Sequence, residues 1–212
     1  MDLDPIDQIF EFERKFFVGA VPDVTEHAHR TLIIQGYVFA EDGYAIRVRV
    51  TVPEQDITFP PFNDEADRFG GYERRILSQV SDSISDAWIT VKSPPVSAQR
   101  YELDQRLDDS VAINILQRSP RIIIKTRHSV WLGSDGWEID EFHGQNTGLV
   151  LAECERTGPV VDLDIPDFCE TEVSSDMRFT NDYLSRQPWA GWGEAFLAEL
   201  AIKGPYFEDY HS

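Results

Sequence analysis

Acids and bases two residues apart recur along this chain, and together they could handle a polyanion with the help of a metal ion. Glu11, Glu13 and Lys15 open the series in the run Glu11-Phe12-Glu13-Arg14-Lys15. Arg47 and Arg49, then Arg100, Glu102 and Asp104, then Lys125 and Arg127 continue it. Glu138 and Asp140, and finally Glu153 and Glu155, complete it, with Lys92 alone on its own segment. These make eight acids and seven bases. Carboxylates a few ångströms apart repel by roughly 4 kcal/mol at an effective dielectric of 20, so this density calls for mutual pairing and bound cations. Oxygen ligands without a Cys or His cluster suit Mg²⁺ or Mn²⁺ and argue against zinc. Planar guanidinium groups suit phosphate oxygens. Carboxylate-held divalent ions beside an Arg/Lys cradle are the equipment of phosphoryl transfer. No Gly-rich phosphate loop is present, so the solution differs from that of the common nucleotide-binding folds.

The elements that must position these side chains are strands. In Ile46-Arg47-Val48-Arg49-Val50 both arginines take one face and three aliphatics the other, because successive strand side chains alternate. The charged faces carry almost no Ser, Asn or Gln filler, which points to a dedicated surface rather than an ordinary wet one. Eight strand candidates follow, over residues 9–18, 31–40, 45–52, 87–92, 100–104, 121–130, 137–142 and 149–156. Closing them would gather the charges in a lumen. The expected fold class is therefore α+β: a closed antiparallel eight-stranded β-barrel, or tunnel, with a polar lumen and helices packed outside.

Turn and cap signals divide the rest. Asp42-Gly43 predicts a hairpin into the arginine strand. Asp108, Asp109 and Ser110 start the one long helix expected among the strands, over 108–117, and Pro120 ends it. Residues 53–86, with Pro60-Pro61 and Gly70-Gly71, read as an insertion outside the barrel, with weak helical periodicity over 65–75 broken by the glycines. Residues 1–8 read as a frayed acidic start, and His27 and His29 as solvent-exposed rather than metal-binding. From 159 to 212 the chain reads as a tail with helices over 179–184 and 192–202 packed on the barrel exterior. Residues 1–212 make one domain in this reading.

Composition bounds the partners. The chain has 212 residues and a formal net charge of -19, which argues against a general nucleic-acid or anionic-membrane surface. No apolar run reaches membrane-spanning length and no signal-peptide pattern opens the chain. Two cysteines, Cys154 and Cys169, do not make a disulfide framework. Cys154 alternates with Glu153 and Glu155 and reads as a small apolar filler on the outer face. A cytoplasmic setting is the expectation, as a monomer or homodimer.

The ordered set of blocks resembles the CYTH, or triphosphate tunnel metalloenzyme, superfamily. The blocks are Glu11-x-Glu13-x-Lys15, Gln35-Gly36-Tyr37, Arg47-Val48-Arg49, Thr90-Val91-Lys92, Arg100-Tyr101-Glu102, Lys125-Thr126-Arg127, Trp137-Glu138-Ile139-Asp140 and Leu151-Ala152-Glu153-Cys154-Glu155. The resemblance implies a tunnel that binds a triphosphate-containing small molecule with one or two Mg²⁺ or Mn²⁺ ions. By analogy Glu11, Glu13, Glu153 and Glu155 would hold metal, while Arg47, Arg49, Lys92, Arg100, Lys125 and Arg127 would bind substrate. Glu138 and Asp140 would complete a second metal or orient its water, and Glu102 and Asp104 would position the bases. Lys15 and Tyr37 would act near the terminal phosphate. Gln35-Gly36-Tyr37 is similar to the compact bacterial triphosphatases and lacks the Asp of the cyclase pattern. The expected reaction is hydrolysis of tripolyphosphate to pyrophosphate and phosphate by a metal-activated water. Thiamine triphosphate or a nucleoside triphosphate as substrate, a class IV adenylyl cyclase, and a non-catalytic binder of phosphorylated ligands stay open. Three departures bear on this: the long 53–86 excursion, the shorter Asp104, and Ser93-Pro94-Pro95 in place of a glycine-like turn. The chain ends at Ser212 without a polyphosphate-binding helical domain, so long-chain polyphosphate is the weaker expectation.

Overall fold

The Asp42-Gly43 pair sets the first hairpin. Both residues have positive φ, 51° and 83°, the pairing that lets a two-residue loop follow the twist of its strands. It joins β2 (His29–Glu41) to β3 (Tyr44–Pro53), with Glu41 opposite Tyr44. In this computed structural model the described residues are 12–53, 57–63, 67, 70–94, 102–156, 158 and 160–209. Glu11, Arg100, the acidic start, and parts of the 53–86 excursion and of the turn that begins at Ser93 lie outside them.

The remaining strands are β1 (Phe12–Val18), β4 (Asp86–Lys92), β5 (Glu102–Arg106), β6 (Arg121–Leu132), β7 (Asp135–Phe142), β8 (Val150–Arg156) and β9 (Thr171–Glu172). They form one nine-stranded antiparallel sheet in the order β5-β4-β3-β2-β6-β7-β8-β1-β9. This corrects the expected closed eight-stranded barrel: among the described residues no pairing joins β5 to the far end of the sheet. β9 takes the outer edge of β1 at Phe16 and Phe17, so the position a closing strand needs is occupied. Alternation fixes which face is polar, whereas closure depends on strand tilt and stagger across the whole sheet. The sheet instead curls, and side chains from β5 and from β1 line one cavity.

Its outer face carries two cores. Leu32, Ile34, Val48, Val50 and Ile124 pack under α1 (Gly71–Val80) and α2 (Asp109–Leu116), which contribute Ile76, Leu77 and Leu116. α2 starts where its signals say: the Asp108 carboxylate accepts from the Ser110 and Val111 amides at 2.9 and 3.2 Å. α1 is a second helix among the strands. Gly70, at φ 80°, precedes it, so the glycines mark its start rather than break it. Farther along, Phe16, Trp137, Ile139 and Ala152 pack against the 160–169 segment, and both free cysteines are buried there.

The third core lies on the inner face. Phe17, Ile123, Phe142 and Leu151 share the parity of Lys15, Lys125, Asp140 and Glu153. They are covered by Phe179, then Leu184 of α3 (Asn181–Arg186), then Trp189, and Phe196 of α4 (Gly193–Lys203). Phe196 meets Phe17 and Phe179 edge-on, with centroids 5.1 and 4.9 Å apart. The C-terminal helices thus close one end of the curled sheet from inside, which corrects the expectation that all helices pack outside. Among the described residues no helix is long and apolar enough to cross a membrane.

Candidate active site

Register builds one side of the groove. Lys15 stands opposite Glu153, Glu13 opposite Glu155, and Glu138 opposite Glu153. Partners across a strand pair share a face, so β7, β8 and β1 present four of these carboxylates around one amine. Lys15 Nζ lies 3.0 Å from Glu13 Oε1 and 3.0 Å from Glu153 Oε1. Burial disfavours the ammonium, but Glu153 and Glu13 outweigh it and hold the Lys15 pKa above its ordinary range. Glu153, pressed upward by burial, is held below the usual carboxylate range by Lys15 and Lys125.

β6 supplies the densest pairing. Arg127 grips Asp140 through two bonds, Nε to Oδ1 at 2.7 Å and Nη2 to Oδ2 at 2.8 Å. It also reaches Glu153 at 3.0 Å and pairs with Glu138. Lys125 pairs with the same Asp140, which is fully buried. Two cations share that carboxylate. Despite burial, Arg127 and Lys125 keep Asp140 ionised, while burial and the neighbouring Arg127 lower the Lys125 pKa.

The opposite wall, β2 to β5, is underpaired. Lys92 Nζ lies 2.6 Å from Glu102, whose other oxygen is 3.6 Å from Arg47. Thr90 donates to Asp104. Gln35 bridges the wall: its Nε2 donates to the Tyr37 hydroxyl at 3.0 Å and its Oε1 accepts from Arg47 at 3.4 Å. Arg49 makes no hydrogen bond or ion pair among the described residues, and the Nε atoms of Arg47 and Arg49 are buried without a partner. Burial and the guanidiniums of Arg47 and Arg127 depress the Arg49 pKa. Burial also pushes the Tyr37 phenol up to about 12, so at neutral pH it keeps its proton.

These walls enclose a groove of about 710 Å³. Lys15, Tyr37, Arg47, Arg49, Lys92, Lys125 and Arg127 line it, as do Glu13, Glu102, Asp104, Glu153 and Glu155. Glu138 and Asp140 reach the same cluster through Arg127, and Glu11 and Arg100 lie outside the described residues. Three contributors escaped the sequence reading. Gln35 shares the parity of Tyr37, a signal that could have found it. Asp182 and Arg186 come from α3, where an i, i+4 ion pair resembles any exposed helix face.

For a metal ion, the anionic donors lining the groove are carboxylates, the chemistry a hard divalent cation takes. Glu13 and Glu155 face each other across a strand pair, and the Glu13 side chain is 40% exposed. Among the described residues no three carboxylate, imidazole or thiolate groups are already drawn together as a metal site. Lys15 and Arg127 occupy Glu153 instead. The donor set fits Mg²⁺ or Mn²⁺ in kind.

No protein-family model matches the chain. Over 186 residues it is 29% identical to an inorganic triphosphatase of Acetivibrio thermocellus, spanning 87% of this chain and 98% of that one. Its fold is similar to a crystal structure of the inorganic triphosphatase NE1496, at 23% identity and a TM-score of 0.51, over 82% of this chain and 93% of that one. A second structure of NE1496 gives 24% identity and a TM-score of 0.50, over 82% and 97%. The resemblance to the CYTH, or triphosphate tunnel metalloenzyme, superfamily is borne out. Within that superfamily the likeness is to inorganic triphosphatases.

Proposed function

We propose that this chain is a metal-dependent triphosphatase whose substrate is inorganic tripolyphosphate, hydrolysed to pyrophosphate and phosphate. The observation that carries this reading is Arg49: a largely buried guanidinium beside two others, with its Nε meeting no acceptor among the described residues. A buried, unpartnered cation costs free energy unless an anion arrives to meet it. The relative's name, inorganic triphosphatase, supports a triphosphate as that anion.

Arg49, Arg47 and Lys92 would take phosphate oxygens from one wall, Lys125 and Arg127 from the other. Arg100, outside the described residues, would join them. Asp140 is fully buried under Lys125 and Arg127, so the role that fits it is holding both bases in place, with Glu138 steadying the outer arm of Arg127. Lys15 is a cation throughout the working pH range and stabilises charge rather than removing a proton. Tyr37 accepts from Gln35 and keeps its own O–H proton to donate to a phosphate oxygen. Glu102 and Asp104 orient Lys92, Arg47 and Thr90. Mg²⁺ or Mn²⁺ held by Glu13, Glu153 and Glu155 with Glu11 would neutralise phosphate charge and make a bound water nucleophilic near neutral pH.

Phosphate release from tripolyphosphate, ATP and thiamine triphosphate, each with Mg²⁺ and with Mn²⁺, tests the reading. Turnover should be highest on tripolyphosphate and vanish with chelator. Faster turnover of either organic triphosphate would move the substrate assignment, and no turnover of any would sink the enzyme.

A further inference from the structure

A second cavity, of about 500 Å³, lies between α1, the start of β6, the β7–β8 loop and α3. Two arginines line it, Arg121 from β6 and Arg186 from α3, and they share one carboxylate. Arg186 Nη2 lies 2.8 Å from Asp182 Oδ2 and also donates to the Ala40 carbonyl at 2.6 Å. Arg121 reaches the same Asp182 only at 3.5 Å, and among the described residues its side chain makes no hydrogen bond. Asp182 itself lines the triphosphate groove and not this cavity. The two guanidiniums thus bring the cavity more positive charge than their one carboxylate answers, and what they lack is an anion.

The other charges nearby do not cancel that excess. Glu73 also lines the cavity, but Arg74, whose guanidinium is bonded to the neutral Gln117 and Ser119 carbonyls at 3.0 and 2.7 Å, is its counter-charge. Burial raises the Glu73 pKa to about 7, so near neutrality part of its population carries a proton. Asp67, the remaining charge that acts on Glu73, is held by Arg75 at 2.9 Å. The β7–β8 loop adds only the neutral Gln145 and Asn146. α1 opens on the same cavity at Gly70 with no side-chain cap, so the positive end of the helix adds to the field. Two guanidiniums that converge on one point can grip two oxygens of a tetrahedral oxyanion. Ile122, Leu184, Pro120 and Pro188 supply apolar wall, and the volume is that of a small-molecule pocket, with room for a short organic body beside the anion.

We propose that this cavity binds a phosphate group, free or as a small phosphomonoester, between Arg121 and Arg186. The site is separate from the triphosphate groove and stands whether or not the groove's assignment holds.

Amide NMR of the full chain in the presence of chelator, titrated with inorganic phosphate, butyl phosphate and butyrate, tests it. The Gly70 amide reports this cavity and the Gln35 and Arg49 amides report the groove, so phosphate bound in the groove is told apart. Saturable shifts at Gly70 are expected with both phosphates, and the one that saturates at lower concentration identifies the source. Arg121→Gln should weaken them roughly tenfold or more, the scale of one charge-assisted hydrogen bond, and leave the groove response in place. Thermal melting checks that the variant is folded. Gln145→Trp, which fills the cavity and leaves both guanidiniums in place, should abolish the Gly70 response as well. At pH 8, where Glu73 is ionised, Glu73→Gln should tighten binding, since it removes a carboxylate and leaves Arg74, Arg121 and Arg186 unchanged. Shifts at Gly70 that never saturate, an affinity unchanged in both Arg121→Gln and Gln145→Trp, or butyrate bound as tightly as butyl phosphate overturns the site. Failure of the triphosphatase reading would show instead as absent turnover, with the Gly70 response intact.

Discussion

The two walls of the groove are built to opposite rules. On the β6–β7–β8–β1 side each cation has its carboxylate: Lys15 has Glu13 and Glu153, Lys125 has Asp140, and Arg127 has Asp140, Glu138 and Glu153. On the β2–β3 side, among the described residues, Arg49 has none, and Arg47 reaches only Gln35 and, at 3.6 Å, Glu102. Charges that are satisfied within the fold carry stability in addition to any contact they make with substrate or metal. A cation left short of anions stores electrostatic strain that a ligand can relieve, so on the proposed reading the underpaired wall is where substrate charge would be needed most. Substitutions should therefore split by wall, and four experiments press on that split in falling order of effect.

The paired wall should fail in stability. Asp140→Asn leaves the Lys125 ammonium, itself 3% exposed, without its partner, and breaking a buried pair costs about 3–5 kcal/mol. Urea unfolding reads this directly. A loss under 1 kcal/mol would mean the wall is not held by that pair.

The underpaired wall should fail in activity instead. Arg49→Met should lower kcat/KM for tripolyphosphate by roughly 100–1,000-fold, the scale for losing one preorganised donor. Its melting temperature should hold or rise, since a repelled guanidinium is gone. If activity and stability fall together, the two walls do not differ in kind.

Glu73 is the contrasting buried charge outside the groove. Its folded pKa, about 7, exceeds the unfolded value near 4.3, so its penalty is absent below the unfolded value. That penalty grows as pH rises towards 7 and is complete above it. Glu73→Gln should thus leave stability unchanged near pH 4 and raise it by on the order of 3 kcal/mol at pH 8. A gain that does not vary with pH would show that ionisation is not its source.

The smallest effect belongs to Tyr37→Phe. It removes one donor and strands the Gln35 amide, worth about 0.5–1.5 kcal/mol, so kcat should fall about tenfold or less with little change in stability. A loss as large as that of Arg49→Met would make the phenol more than a hydrogen-bond donor.

Much of the groove could be read from sequence because strand alternation is local. Arg47 and Arg49, or Glu153 and Glu155, share a face whatever the rest of the chain does. The Asp42-Gly43 turn was equally readable, since only a few residue pairs tolerate positive φ at both positions. Closure was not. It depends on the summed stagger of nine strands and on a two-residue strand, Thr171–Glu172, too short to leave a periodic signal. The placement of α3 and α4 inside the curl was hidden for another reason. An apolar stripe with Phe196 at its centre says that a face is buried, not which surface buries it. α1 was masked by the glycines that precede it, and Gln35 by its neutrality in a reading that followed charge.

The central claim is that the unpaired arginine on β3 marks the seat of a triphosphate. The most direct test measures phosphate release from tripolyphosphate by the unmodified chain and by Arg49→Met, with thermal melts on the same preparations. The account predicts metal-dependent release by the first and at least a hundredfold loss in the second, at an unchanged or higher melting temperature. Release by Arg49→Met within threefold of the unmodified chain would contradict it.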